Sequence, residues 1–401
     1  MLSIVNFLVA IFVYPIVFAT AGYMFSFSIS LNEHIVIATL ATLVVSNLFL
    51  KTNEIVFVVL DNFVLVPTLV INSFYNYDIQ LIGYYLGFRI FFKYLEYFSE
   101  KIKLKRIHGI YPKKWIYIYP ALFIYTVIIF KLTVEHSVSL NPIENYLNSY
   151  STRANLKFEG LIGYFLNSLV FILLPIIMYF GQRKNIFGIV FVALLIISIY
   201  SIMPLTLYFM LMIAVIGFEL LSRYSALSLT KLVQIALCMI LLLSLFDISL
   251  LNMVINRFYF TIGANNIFYY DFFSENNLYL FQNSKLGILF HSNNYSDLPG
   301  FIIDRFYYLG KGSNQSSGIF ASAFANAGVA GLIVCIFLLV LIMRVIDISH
   351  EQNLAIKLKL LLGLALINFP LHQLLLTNGL LIYLILNILS KDENSPYNRL
   401  L

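Results

Sequence analysis

The sequence predicts an all-α polytopic membrane protein, and three observations carry that prediction. Hydrophobic residues make up 61% of the 401 and charged residues only 11%. Mean hydropathy is +0.88, outside the balance of soluble domains. The apolar runs are long and continuous rather than alternating. A span needs roughly 20 apolar residues. In lipid the backbone must satisfy its own hydrogen bonds, so only helices or barrel strands can cross, and continuous runs select helices.

Taken in order, the runs predict about twelve spans in a single integral membrane domain over 1–401. They fall near 2–25, 35–50, 55–74, 79–98, 115–134, 161–180, 185–200, 204–221, 232–254, 317–343, 358–376 and 378–389. The first run has an A-x-A-like pair, Ala19 and Ala21, but lacks a basic leading region, so it reads as a retained helix rather than a cleaved signal. Cys238 and Cys335 fall inside predicted spans and read as small apolar fillers. Charges within spans are few: Asp61, Arg89, Lys93 and Asp247. Asp61 and Arg89, on neighbouring helices, are placed to pair across the bundle.

Orientation follows from the basic loops. "EKIKLKRIHGIYPKK" carries Lys101, Lys103, Lys105, Arg106, Lys113 and Lys114 and belongs in the cytoplasm. Alternation from that anchor puts both termini in the cytoplasm and brings 16 of the 25 Lys and Arg to the same side. The net charge of +6 is therefore an orientation signal and not a nucleic-acid surface.

Two large extracytoplasmic loops remain, 135–160 and 255–316. A loop of the second one's length exceeds what a connector needs and points to function. Arg153, Lys157, Arg257, Lys285, Arg305 and Lys311 lie in them against the positive-inside trend. Arg257 directly follows one predicted span and Arg153 shortly precedes another, which puts both at headgroup height. Arg is suited to that position because its planar fork bonds two phosphate oxygens at once. The aromatics of "NRFYFTIGANNIFYYDFFSEN" read either as an interfacial belt or as a sugar-stacking platform. The six His and two Cys show no metal-ligand spacing.

The order "STRANLKFEGLIGYFLNSLVFILLPIIMYF", then "NRFYFTIGANNIFYYDFFSEN", then "GKGSNQSSGIFASAFANAGVAGLIVCIFLLVLIMRVID" resembles the Wzy-type oligosaccharide repeat-unit polymerases of O-antigen and capsule assembly. The features that carry it are the arginine before a span, the R-F start followed by Y-Y-D-F-F-S, the N-x-x-S-G that opens the next span and the A-N-A-G-x-x-G within it. "INFPLHQLLLTNGLL" is similar to the family's closing pair of helices. The resemblance covers roughly residues 145–390.

It implies a GT-C-like fold and a glycosyltransferase of the bacterial inner membrane that works on the extracytoplasmic face. A chain on undecaprenyl pyrophosphate would be transferred to a hydroxyl of one lipid-linked repeat unit. The undecaprenyl-pyrophosphate-linked oligosaccharide is thus donor and acceptor, with no cofactor, no metal and no nucleic acid. A chain-length regulator, a Wzz-type co-polymerase, is the implied protein partner. Arg153 and Arg257 match the family's extracytoplasmic arginines, and Arg305 is a third, with Asp304 beside it as a local partner. His291 leads the candidates for the base, alongside Asp271, Glu275, His136, Glu135 and Asp304. Tyr269, Tyr270, Asp271, Asn314 and Gln315 are candidates for sugar contact. The glycines Gly312, Gly318, Gly328 and Gly331 read as a close-packing helix face. Two classes compete: a lipid-linked glycan ligase, and a flippase or exporter. Transport would call for polar groups at the midplane beside broken helices in paired repeats.

Overall fold

A computed structural model describes residues 2–20, 30–50, 54–75, 78–101, 111–112, 217, 228–246, 249–282, 287, 295–308, 315, 318–349, 352–376 and 379–391. These are helical apart from loops and one two-residue parallel bridge, β1 (Tyr111–Pro112) on β2 (Ser390–Lys391). The predicted spans near 115–134, 161–180, 185–200 and 204–221 lie outside the described residues, apart from residue 217.

Contacts divide the chain into two units. The first comprises Met1–Ile102, Leu220–Leu341 and Leu362–Leu371. Its centre is the run Ile55–Phe74, made of α3 (Ile55–Leu60), a π turn Asp61–Leu65 and α4 (Val66–Phe74). This run is buried over 94% of its length, as expected of a helix apolar on every side. Around it stand α1 (Leu2–Thr20), α2 (Glu33–Phe49) and α5 (Ile79–Lys101).

Short polar residues fix the turns. Asn32 caps α2 by accepting from the His34 and Ile35 amides, and its own amide donates to the Ser73 carbonyl at 2.9 Å. Asn72 clamps the α4–α5 turn by donating to the Asp78 carbonyl (2.9 Å) and accepting from the Asp78 amide (3.0 Å). Large apolar side chains remain exposed on the outer faces, among them Phe12, Ile37, Leu48 and Phe49. Lipid is the solvent that suits such faces.

Next come α6 (Leu229–Leu243) with a 3₁₀ extension to Phe246, then α7 (Ser249–Ile255), a π turn Asn256–Phe260 and α8 (Thr261–Glu275). Here the structure departs from the sequence reading. A single span was predicted over 232–254 with a loop beginning at 255. The chain instead forms a first helix that ends near Phe246 and a second run that stays helical to Glu275. Hydropathy misplaced the boundary because this second helix is rich in amides and aromatics. Asn252, Asn256, Thr261 and Asn265 are all buried, against neighbouring helices rather than lipid. The helix runs in the same sense as α4: Gly263 lies against Pro67, and the Phe268 ring meets Tyr75 edge-on at 5.5 Å. A Cβ on Gly263 would stand 2.5 Å from the Pro67 carbonyl group, so the close approach requires glycine.

A short helix, α9 (Pro299–Tyr307), then packs on α8. Then comes α10 (Gly318–Ser349), which belongs to this unit as far as Leu341 and breaks at Ala327 and Gly328, where φ is +57° at the glycine. The arms fold back on each other, since a Cβ on Gly331 would overlap the Ala323 carbonyl. Phe320 and Leu332 line the same cleft. Twelve residues apart on a straight helix, they would lie roughly 18 Å apart. Residues 318–326 are thus a short inner arm and 329–349 a longer one. Of the glycines read as a packing face, Gly318, against the Ile367 carbonyl, and Gly331 do pack closely, Gly328 does not, and Gly312 lies outside the described residues. The break, however, belongs to Gly328.

Among the described residues, four helices are long and apolar enough to cross a bilayer: Leu2–Ala19, Ile55–Phe74, Leu229–Phe246 and Gly318–Ile348. They support a helical membrane protein. In the second unit Lys359 is buried and pairs with Asp347 at 2.8 Å.

Candidate functional site

Two polar regions of the first unit can do chemistry. The first is the C-terminal end of α8, where the sequence spells F-Y-Y-D-F-F. A helix presents such a run on all its sides, so the residues meet different neighbours. Phe268 stacks on Tyr307 of α9 at 4.4 Å and 10°, and meets Tyr308 edge-on. Tyr269 is buried, and its hydroxyl donates to the Gln315 carbonyl at 3.3 Å. Tyr270 donates to Gln80 Oε1 at 2.9 Å and contacts the rings of Tyr84 and Phe324. The Asp271 carboxylate accepts from the Tyr307 hydroxyl at 2.8 Å. Phe272 and Phe273 complete the cluster with Tyr295 and Phe306.

Charges around the cluster are paired locally. Arg305 bonds Asp297 at 2.6 Å with its side chain 63% exposed. The sequence offered Asp304 as that partner. Asp304 is instead 1% exposed and accepts from Gln315 Nε2 at 2.9 Å, because it lies on the packed side of α9 and Arg305 does not. Burial, followed by the hydrogen bond and charge of Asp271, raises the Tyr307 hydroxyl above the usual phenol range and keeps it a donor. Burial and then the charge of Asp78 do the same for Tyr270.

Beside Tyr270 opens an apolar cleft between helices. Leu65, Leu69, Leu81, Phe88, Phe320 and Phe324 form its walls, with Tyr84, Tyr270 and Asn266 as polar groups. An apolar slot next to an aromatic and carboxylate cluster can take an amphiphile with a hydroxyl-rich head.

The second region lies deeper. Arg89 Nη1 pairs with Asp61 Oδ2 at 3.3 Å, as the sequence predicted, with both side chains almost fully buried. Ser3 donates to the same oxygen, and Asn6 bonds Asn62 at 2.9 Å. The two π turns, Asp61–Leu65 and Asn256–Phe260, adjoin here. Such turns insert a residue into a helix and often mark function. Asn256 is 1% exposed and Tyr259 2%. Neither side chain has a hydrogen-bond partner among the described residues, nor does Asp61 Oδ1 or Arg89 Nε.

The sequence-predicted residues therefore fall into three groups. Tyr269, Tyr270, Asp271, Arg305 and Gln315 come together at the end of α8. Arg257 does not join them. It sits in the π turn beside the middle of Ile55–Phe74, half-buried. Thirteen residues before Tyr270, it stands roughly 20 Å away along the helix. The helix continues past residue 254, so Arg257 does not follow the end of a span. Arg153, His291 and Asn314 lie outside the described residues. Sequence reasoning missed Tyr307, the partner of Asp271, and Gln80 and Tyr84 from α5. Tyr307 was legible in principle, since it lies two residues after Arg305 on one short helix. No matching family model, curated protein or solved structure was found for the chain.

Proposed function

We propose that this chain polymerises undecaprenyl-pyrophosphate-linked oligosaccharide repeat units into surface polysaccharide on the extracytoplasmic face of a bacterial inner membrane. The observation that carries the reading is the apolar cleft opening beside Tyr270, next to the cluster of Asp271, Tyr307 and Arg305. Such a site suits a substrate that is a polyprenyl chain at one end, a pyrophosphate at the joint and a sugar at the other. Aromatic faces stack sugars, the carboxylate takes hydroxyl hydrogen bonds, and an exposed arginine suits phosphate. Within this reading Arg305 is the phosphate contact nearest the cluster, and a Wzz-type regulator is the proposed partner for chain length.

A second reading, a flippase for the same lipid-linked units, has one observation in its favour. The Asp61 and Arg89 pair and the two π turns form a polar region level with the middle of a membrane-length helix, where transport sites lie. One experiment separates the two. Purified protein in liposomes is given extracted lipid-linked repeat units, and the products are run on a gel. A ladder of multiples supports polymerisation. Movement of units across the bilayer with no ladder supports the flippase.

A further inference from the structure

We propose that Asp271 is the base of the transfer, the group that takes the proton from the attacking hydroxyl. The assignment rests on the polymerase reading. Carboxylates near the cluster differ sharply in what they are free to do. Asp304 is buried and bonded by Gln315. Asp297 is taken by Arg305. Asp78 caps the start of α5 by accepting from the Gln80 amide at 2.7 Å. Glu275 is exposed in the last turn of α8.

Asp271 is half-buried and held on one side only. Tyr307 donates to Oδ2, and among the described residues no other side chain bonds the carboxylate. The holder is itself fixed, because the Tyr307 ring lies flat on Phe268. One oxygen is thus oriented while the other keeps its lone pairs for a proton, as a positioned general base needs. Tyr270, the preceding residue on α8, lines the cleft, so the carboxylate lies one residue along the helix from the cleft wall.

The step balances without a further reactant. The acceptor hydroxyl oxygen bonds the anomeric carbon of the donor chain while the bond from that carbon to the pyrophosphate oxygen breaks. The electron pair of that bond leaves with undecaprenyl pyrophosphate, and the hydroxyl proton goes to Asp271 Oδ1. The carboxylic acid then returns its proton to water. Tyr307 acts through Asp271 and is a positioning residue.

The test uses full-length protein in detergent and undecaprenyl-pyrophosphate oligosaccharide extracted from cells that lack this chain, with bond formation followed on a gel. Wild type builds a ladder. Asp271→Asn lowers the initial rate at least a hundredfold with KM within about threefold, and sodium formate, a small external base, restores at least tenfold of the loss in Asp271→Ala. Tyr307→Phe lowers kcat about tenfold at unchanged KM. A ladder from wild type with Asp271→Asn within threefold of its rate overturns the assignment and leaves the polymerase reading standing. No ladder from wild type overturns both. Should the Asn and Ala variants fail to accumulate, Asp271→Glu decides: it keeps the charge but moves the oxygens by one methylene, and an unaltered kcat refutes the role.

Discussion

At the scale of single residues, Asp61 and Arg89 show how an interior ion pair is held. Oδ2 of the aspartate takes both the Arg89 guanidinium and the Ser3 hydroxyl, and Arg89 also lies over the Phe57 ring at 5.2 Å. Removing one partner leaves a buried charge alone. Arg89→Met is therefore expected to cost about 3–5 kcal/mol, read as a lowered Tm in detergent. The double change Asp61→Leu with Arg89→Met should recover most of that loss, and a double variant no better than the single would refute the account. Arg305 is the opposite case. Its partner Asp297 is also solvent-accessible, so Arg305→Ala should change stability by less than about 1 kcal/mol. Under the proposed function the same variant loses polymer yield, measured by ladder intensity at matched protein levels. A normal ladder would remove Arg305 from the site.

Elements fail through their backbones. Gly263 lets α8 approach α4 until backbone meets backbone, with Thr68 N only 2.8 Å from where a Cβ would stand. Neither chain can yield there, so Gly263→Ala is expected to cost about 1–3 kcal/mol by overpacking. Gly328 is different. A Cβ there meets only Leu278 at 3.9 Å, and the obstacle is the positive φ. With φ +57° and ψ −143°, a combination essentially confined to glycine, Gly328→Ala should then cost about 1–3 kcal/mol through conformation alone. Thermal unfolding of the two variants in one detergent checks both figures. A Gly328→Ala protein as stable as wild type would mean that the break in α10 is held by something other than the glycine. The residues over the break support its importance. Tyr279 donates to the Ala325 carbonyl and Phe281 to Asn326 Oδ1, while Leu280 and Phe281 themselves take left-handed φ values of 52° and 58°.

For the whole molecule, orientation in the membrane ties both readings to a testable arrangement. If the basic loops stay inside, the α8–α9 cluster faces outward. With Cys238 and Cys335 replaced by serine, a cysteine at exposed Ser296 should react with an impermeant thiol reagent in intact cells, whereas one at exposed Lys101 should react only after lysis. The reverse pattern would invert the topology and place the proposed site on the wrong face for repeat-unit polymerisation.

The sequence by itself determined the class of this protein and the starts of its clearest spans. Predominant apolarity at 2–20, 55–74 and from 318 onward allows nothing but helix in lipid, and two opposite charges on adjacent helices had to meet. It also marked the F-Y-Y-D-F-F stretch and Arg305 as unusual. Only the tertiary structure decided where the second half of that chemistry sits. Hydropathy assumes that a polar residue leaves the membrane, yet Asn252, Asn256 and Asn265 remain helical because other helices, not lipid, surround them. That moved Arg257 away from Asp271. The partner of Asp271 likewise comes from a separate helix 36 residues on, and a side-chain contact across that distance is set by how α8 and α9 pack, which no local pattern encodes.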